Sequence, residues 1–167
     1  MNSTYAESGR IKAKPAYWIV GIALVLGLGL PLVTSGSEWT EKEITGLAIC
    51  AALVLPICAW IIYCRLVLKL SQDGIHYQFK GMQLKPRFVR WQQLESWRMR
   101  PVSAFGEFGG WGLRTNLQSW GYMTGTPYAL ELNYKDGKVR VISIEHPAKV
   151  RQWLEANNLN PISAPES

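Results

Sequence analysis

Charge is absent from two long stretches of this chain of 167 residues. Residues 15–37 and 44–64 contain no Asp, Glu, Lys, Arg or His. Buried helices of soluble proteins rarely remain uncharged on every face over such a length, whereas about 20 apolar residues suffice to cross the hydrocarbon core of a bilayer. These absences predict two transmembrane helices, at about 16–34 and 44–64, joined by a short loop at 35–43.

A secretory signal peptide is the alternative interpretation of the first stretch, because Arg10, Lys12 and Lys14 precede it and small polar residues follow it. Its apolar run is longer than the run of about 7–15 residues that is usual in signal peptides. A second stretch of equal quality follows after a short loop. We therefore favour a hairpin of two membrane helices over a cleaved leader.

Basic residues flank the two stretches on their outer sides, namely Arg10, Lys12 and Lys14 before the first and Arg65 and Lys69 after the second. The loop between the stretches is acidic, with Glu38, Glu41 and Glu43 against Lys42. Because Lys and Arg are enriched in cytoplasmic loops, this asymmetry predicts that both termini are cytoplasmic and that the loop at 35–43 is external.

Residues that usually carry catalysis or bind metals are scarce, with two histidines and three cysteines in the whole chain. His76 and His146 are far apart in sequence, and all three cysteines lie in the second uncharged stretch. No serine stands in the G-x-S-x-G sequence of a nucleophile elbow, and no His or Cys pair has the spacing of a zinc site. We therefore expect no enzyme activity, no bound metal and no cofactor.

Residues 65–159 have the pattern of short β-strands that end in one helix. Alternating runs flank the Asp-Gly pairs at 73–74 and 136–137, and such a pair is a strong signal for a hairpin. From Pro147 onward, apolar residues recur at helical spacing behind a proline that suits a first helical turn. The predicted organisation is a cytoplasmic N-terminal segment, a membrane hairpin, a cytoplasmic β domain and a disordered tail, at 1–15, 16–64, 65–159 and 160–167.

One segment of this domain, at 105–125, is rich in both glycine and aromatic residues. It lacks the Lys-Ser/Thr ending of a mononucleotide phosphate loop and the spacing of a dinucleotide loop. Glycine inside a strand marks a bulge or a close backbone approach, so we expect a strand that bends at a bulge. The candidate residues for this fold signature, or for a partner-facing surface, are Gly109, Gly110, Trp111, Gly112 and Arg114. Trp111, Trp120 and Tyr122 either fill the core, which we favour for most of them, or form a partner-facing patch.

The sequence resembles bacterial pleckstrin-homology-like (PH-like) domains that follow one or two transmembrane helices in small membrane proteins. The matching stretches are FGGWGLR, GYMTG, LELNYKDGKVRVISIEHP and the helix behind them, at 108–114, 121–125 and 130–147. The resemblance covers about 65–159 and implies an antiparallel barrel or sandwich closed by a C-terminal helix, in a protein of the bacterial inner membrane. The chain departs from the family pattern at SIEHP, where typical members have a Gly-Thr or Gly-Ser step before the proline.

Positive charge is concentrated after the second apolar stretch. Residues 65–167 hold 14 Lys and Arg against 8 Asp and Glu, and 14 − 8 equals the net charge of +6 of the whole chain. Each Lys or Arg near an anionic leaflet contributes about 1 kcal/mol of attraction. The candidate contacts with the lipid surface are Lys80, Met82, Leu84, Lys85 and Arg87. The alternative is that these bases serve only solubility and orientation, and no nucleic acid is expected because no recognised binding module is present.

The sequence therefore predicts a non-catalytic, multi-pass membrane protein that presents a PH-like interaction or oligomerisation domain at the cytoplasmic face of the membrane. Its expected partners are the lipid bilayer, a protein partner or further copies of itself, and anionic lipid. The alternative function is that of an accessory subunit of a membrane transporter or export complex, which would contact its partners through the transmembrane hairpin.

Overall fold

The structure, a computed structural model, describes residues 4–11 and 40–159. The chain divides into two compact units, of which one is formed by Met1–Lys12 with Cys64–Ser167 and the other by Ala13–Tyr63. The predicted first membrane helix at 16–34, most of the predicted loop and the predicted tail at 160–167 lie outside the described residues.

The unit at 13–63 contains helix α1, Glu41–Tyr63. Its part Ile44–Tyr63 is long and apolar enough to cross a membrane, by length and composition. The described residues hold one helix of this kind, so they do not support the predicted hairpin of two membrane helices. The helix ends at Tyr63, and Cys64, which the sequence placed in the membrane span, is a buried residue of the other unit.

The other unit begins with a four-stranded antiparallel sheet in the order β1-β2-β3-β4. Its strands are β1 Tyr5–Arg10, β2 Arg65–Ser71, β3 Gly74–Lys80 and β4 Arg87–Arg90. The predicted hairpin between β2 and β3 is present, with Gln72 and Asp73 in its turn and Gly74 opposite Ser71 at the start of β3. Gly74 is required there because a Cβ at this position would collide with the carbonyl oxygen of Val89 on β4.

Strand β1 was not recognised in the sequence, because YAESGR is a polar segment that lies in the predicted N-terminal segment at 1–15. It pairs along its whole length with β2, from Tyr5 opposite Leu70 to Arg10 opposite Arg65. Glu7 and Gly9 face inward, where apolar residues would be expected on a half-buried strand. The chain therefore leaves this sheet after β1 and comes back to the neighbouring position with β2.

A five-stranded sheet follows, in the order β5-β8-β9-β7-β6. Its strands are β5 Leu94–Pro101, β6 Gly112–Thr115, β7 Ser119–Met123, β8 Tyr128–Tyr134 and β9 Val139–Ser143. A short 3-10 turn, Trp91–Gln93, separates β4 from β5. The Asp-Gly pair at 136–137 forms the turn between β8 and β9, again as predicted.

The sequence predicted an antiparallel barrel or sandwich, and this expectation was wrong for β7 and β9, which run parallel. The short link between β7 and β8 passes over β9, so that β9 lies between them. Buried threonines hold this link, since the backbone N–H of Thr124 donates to Ser143 Oγ at 3.1 Å and Thr126 Oγ1 donates to the carbonyl of Tyr128 at 3.3 Å.

The core lies where the buried faces of the two sheets meet. Tyr77 of β3 and Tyr122 of β7 contact each other edge to face, with ring centroids 4.9 Å apart. Helix α3, Pro147–Ala156, buries Val150, Trp153 and Leu154. The prediction of a mainly β fold with a short C-terminal helix is therefore confirmed.

The predicted bulge at Gly109 and Gly110 was wrong, because residues 104–108 form a short helix, α2, Ala104–Phe108. Ser103 caps its start by accepting from the N–H of Gly106 at 3.1 Å, and Gly109 ends it in the left-handed conformation with φ of 67°. The helix lies on the five-stranded sheet, where a Cβ on Gly121 would meet the Phe108 ring at 2.6 Å. The glycines thus end a helix and admit a close contact rather than bend a strand.

Candidate functional site

The outer face of the four-stranded sheet carries only positive charge. Alternate residues of β1–β4 point away from the core, and the charged ones among them are Arg10, Arg65, Lys69, Lys80 and Arg90. The four strands place no Asp or Glu on this face. We call this set of five residues the basic face.

Three members of the basic face form one row across the sheet. Arg10 lies directly opposite Arg65, and Arg65 lies directly opposite Lys80. Within residues 4–11 and 40–159, no carboxylate forms an ion pair with any of the three. Like charges that lie directly opposite each other in a sheet destabilise it. An anionic partner bound at this row would therefore reduce the repulsion among its three positive charges.

The five residues predicted to contact lipid do not share one surface. Lys80 belongs to the basic face, and Leu84 is fully exposed in the turn after β3, with Lys85 beside it. Met82 is half-buried instead, because its Sδ accepts from the backbone N–H of Leu113 at 3.4 Å. Arg87 lies opposite Tyr77 and so belongs to the inner side of the sheet.

A cleft of about 640 Å³ opens at the end of the two sheets. Three groups of residues line it, from the start of β4, from the 3-10 turn and from the β8–β9 hairpin: Arg87, Phe88, Val89, Gln92, Gln93, Tyr134, Lys135, Asp136 and Arg140. The backbone N–H of Lys135 donates to the carbonyl of Gln93 at 3.2 Å, which ties the hairpin to the 3-10 turn at the edge of the cleft.

Arg140 and Tyr134 line this cleft, and both contact the buried Tyr77, which is not part of the lining. Arg140 is half-buried; its Nη1 donates to the hydroxyl of Tyr77, and its guanidinium carbon lies 4.8 Å from the centroid of the Tyr134 ring. The hydroxyls of Tyr77 and Tyr134 are 3.4 Å apart. Burial raises the pKa of Tyr77, and the hydrogen bond to Tyr134 raises it further. Tyr77 is therefore a neutral phenol, and Arg140 keeps its full positive charge.

Charge at the cleft is positive in sum. Arg87, Lys135 and Arg140 line it together with a single carboxylate, Asp136, which is paired with Lys138 at 2.6 Å. Neither Arg87 nor Arg140 has a carboxylate partner among the residues that the structure describes. Sequence reasoning missed this site because Arg140 and Arg87 are 53 positions apart, on strands of different sheets.

The predicted fold-signature residues lie at the end of α2 and the start of β6. Trp111 is half-buried, packs on the cluster that contains Phe108 and Met123, and contacts Phe105 edge to face at 4.5 Å. Arg114 is exposed, and its Nε donates to the carbonyl of Trp111 at 3.0 Å. Gly110 and Gly112 both have positive φ, which favours glycine.

The three aromatic residues discussed for the core or a partner surface differ in burial. Tyr122 is buried in the core, Trp111 is half-buried, and Trp120 is 50% exposed. Trp120 lies beside Arg140 in the register of β7 and β9. One of the three is thus available to a partner in the described structure.

No group of three or more His, Cys, Asp or Glu side chains in the described ranges is arranged to hold a metal ion. No protein-family model matches the chain, and no curated protein matches it.

Proposed function

We propose that this is a non-catalytic integral membrane protein that crosses the membrane twice between residues 13 and 63. Its β unit then acts as a PH-like interaction domain at the cytoplasmic face. The observation that carries this proposal is the pairing of β1 with β2, because these two strands flank the whole apolar part of the chain.

The pairing limits how often the chain can cross a membrane. Arg10 and Arg65 are neighbours in one sheet, so the chain leaves and returns on the same side of any membrane. A chain that starts and ends on one side crosses an even number of times. If α1 is one crossing, the pairing favours a second crossing between Lys12 and Thr40, where the uncharged stretch at 16–34 has the required length.

The distribution of Lys and Arg favours the cytoplasmic side of the membrane for the β unit. Lys and Arg are enriched on the cytoplasmic side of membrane proteins, and Arg10, Arg65 and Lys80 stand together in one row at the ends of their strands. Arg65 comes two residues after the end of α1. The row is thus joined closely, along the chain, to the boundary of the proposed span, where the resemblance to bacterial PH-like proteins implies the inner membrane.

The β unit is proposed to bind rather than to catalyse. Its exposed features are the basic face and single apolar side chains such as Leu117 and Trp120. We propose a protein partner or a second copy of the chain as the main contact, with anionic lipid as support through the basic face. Two sheets and a C-terminal helix agree with the PH-like resemblance, while the parallel pair β7–β9 departs from the antiparallel pattern that it implies.

Cysteine labelling in bacterial cells tests the topology. Cys50 and Cys58 are first replaced by alanine, and the buried Cys64 is retained. Single cysteines are then introduced by Ser8→Cys, Ser37→Cys or Leu117→Cys and treated with a membrane-impermeant maleimide in spheroplasts and in inverted vesicles. We expect Ser8→Cys and Leu117→Cys to react only in inverted vesicles, and Ser37→Cys only in spheroplasts. Opposite sides for Ser8→Cys and Leu117→Cys would establish a single crossing and refute the proposal.

Exchange of the apolar segment distinguishes the interaction domain from the accessory subunit. Residues 13–63 are replaced by an unrelated two-helix hairpin, and proteins crosslinked in native membranes are compared with those of the wild type. Crosslinked partners that the exchanged protein retains, and that Trp120→Ser weakens, support a binding surface on the β unit. Partners that disappear together with the original hairpin support the transporter subunit and contradict the interaction domain.

A further inference from the structure

The cleft at the open end of the sheets contains a cation that the fold itself does not neutralise. Arg140 is half-buried, yet its described contacts are with neutral tyrosines: Tyr77 accepts from Nη1, and the Tyr134 ring lies beneath the guanidinium. Burying a charge without an ionic partner is costly. A guanidinium has five N–H donors, and the contact with Tyr77 uses only one nitrogen. The remaining donors are available to a ligand in the cleft.

A second guanidinium lines the same cleft. Arg87 is exposed on the inner side of β4 and lines the cleft together with Arg140. Lys135 adds a third positive charge at the rim. Guanidinium groups match the oxygen atoms of phosphates and carboxylates through paired hydrogen bonds. Three cations against one paired carboxylate, Asp136, favour a dianion over a monoanion.

The remaining walls indicate more than a bare ion. A volume of about 640 Å³ lies within the range of about 300–1,000 Å³ that is usual for small-molecule sites. The half-buried ring of Tyr134 supplies apolar surface, and Gln92 supplies an exposed amide. We propose that the cleft binds a small phosphorylated molecule, with its phosphate held between Arg87 and Arg140 and its organic part against Tyr134.

The source of the phosphate is either a soluble molecule or the headgroup of an anionic phospholipid, since both present the same chemistry to the two arginines. The proposal does not depend on the membrane topology, because a soluble probe can be offered to the full chain in detergent micelles. Failure of the cleft to bind and failure of the proposed topology are therefore separate results.

Calorimetric titration of the full-length protein with sn-glycerol 3-phosphate tests the proposal, with glycerol and lactate as the neutral and carboxylate controls. We expect binding of glycerol 3-phosphate and at least fivefold weaker binding of both controls. Arg87→Gln should weaken binding by about tenfold, as expected for the loss of a hydrogen bond between charged groups. Its matched control is Arg90→Gln, three positions along the same strand but on the outer face, which should change binding by less than about twofold.

Arg140→Lys tests the other arginine, because lysine keeps the charge and loses the paired donors. It should also weaken binding, and its unfolding midpoint is measured by circular dichroism to establish that it is folded. No binding of glycerol 3-phosphate by the wild type would overturn the proposal, and so would equal weakening by Arg87→Gln and Arg90→Gln. Lactate that binds as tightly as glycerol 3-phosphate would overturn the assignment to phosphate.

Nanodiscs then distinguish the two sources. If the headgroup occupies the cleft, the protein in phosphatidylglycerol nanodiscs should bind glycerol 3-phosphate several-fold more weakly than in phosphatidylcholine nanodiscs, by competition. Equal affinity in the two would assign the cleft to a soluble molecule. Both results support the phosphate site, provided that the Arg87→Gln effect is present.

Discussion

In the five-stranded sheet, Arg98 and Arg100 both donate to Glu131, at 2.8 and 2.5 Å, and Glu131 is buried. In the four-stranded sheet, Arg10 and Arg65 face each other across neighbouring strands, with no carboxylate paired to either in the described ranges. Arginine is thus neutralised by a carboxylate within the five-stranded sheet and has no ionic partner among the described residues on the outer face of the four-stranded sheet.

The difference separates structural charges from available ones. Arg100 also pairs with Glu107 of α2 at 2.8 Å, so the network joins the short helix to the sheet beneath it. Burying these charges costs desolvation free energy, and the ion pairs in return fix the geometry of the side chains. The arginines of the row on the basic face are exposed and stay hydrated. They therefore lose no hydration, are not held in one geometry and repel one another weakly. We infer that Arg98 and Arg100 maintain the fold, while Arg10 and Arg65 are available to an anionic partner.

Removal of the buried carboxylate should have the largest effect on stability. Among the described residues, Glu131→Gln takes one of two carboxylate partners from the partly buried Arg100 and the one partner of Arg98, and breaking a buried pair in this way costs about 3 kcal/mol. The free energy of unfolding of the full chain in micelles, followed by circular dichroism in denaturant, measures the loss. Glu95→Gln is the matched control, since Glu95 is exposed on the same sheet and should change stability by less than about 0.5 kcal/mol. Equal effects of the two substitutions would remove the distinction between the sheets.

Loss of the carboxylate of Glu7 should have the next largest effect. Glu7 of β1 has a side chain that is 5% exposed, and it accepts from the backbone N–H groups of Glu145 and His146 at 3.0 and 3.1 Å. It therefore fastens the N-terminal strand to the segment before α3. Glu7→Gln should cost about 1–2 kcal/mol, because hydrogen bonds to a charged group are stronger than those to an amide.

The control for Glu7→Gln is Ser8→Ala on the exposed side of the same strand, measured in the same denaturant titration. Ser8→Ala should leave the denaturant midpoint of unfolding unchanged. A Glu7→Gln protein as stable as the wild type would mean that this carboxylate does not fasten β1 to the segment before α3.

Local signals made the hairpins and the last helix predictable. Asp-Gly pairs between alternating runs indicate hairpins, and a proline before a helical stripe indicates a helix start, so β2–β3, β8–β9 and α3 were recognised. Strand β1 was not, because two of its three inward positions hold Glu7 and Gly9, and it pairs with residues more than 50 positions away. Such long-range pairing leaves no periodicity in a polar segment of six residues.

The candidate sites show the same limit. The basic residues could be identified from the sequence, but their division between the two faces depends on strand register. A register shift of one residue moves every side chain of the strand to the other face. Lys80 and Arg87 were grouped by closeness in sequence and lie on opposite sides of the sheet. To predict the cleft, one has to know that β4 and β9 pair within different sheets. A single sequence does not reveal this pairing.

Glu107 offers a smaller, pH-dependent test of the network in the five-stranded sheet. The hydrogen bond from Arg100 lowers the pKa of this carboxyl. A carboxylate with a lowered pKa stabilises the fold above its usual pKa of about 4.3, and the contribution is lost as the pH falls through the lower folded value. Glu107→Gln should therefore cost less than about 1 kcal/mol at pH 7, since the pair is partly exposed.

The measurement for Glu107 compares unfolding free energies of wild type and Glu107→Gln from pH 7 down to about pH 3. The difference should shrink below about pH 4 and vanish at the acid end. A difference that stays constant over this range would show that the carboxylate charge does not matter, and that α2 is held by its apolar packing alone.

The smallest effect on stability should come from the row on the basic face, and it should have the opposite sign. Arg10→Gln with Arg65→Gln relieves two like charges that lie directly opposite each other, so stability in neutral micelles should stay the same or rise by a few tenths of a kcal/mol. In nanodiscs, phosphatidylglycerol should raise the unfolding midpoint of the wild type above its value in phosphatidylcholine, and the double variant should lose most of this rise. Because Arg98→Gln removes a positive charge that already has an internal partner, it should keep the rise. An equal loss in both proteins would mean that lipid responds to total charge alone, and that the unpaired row has no special role.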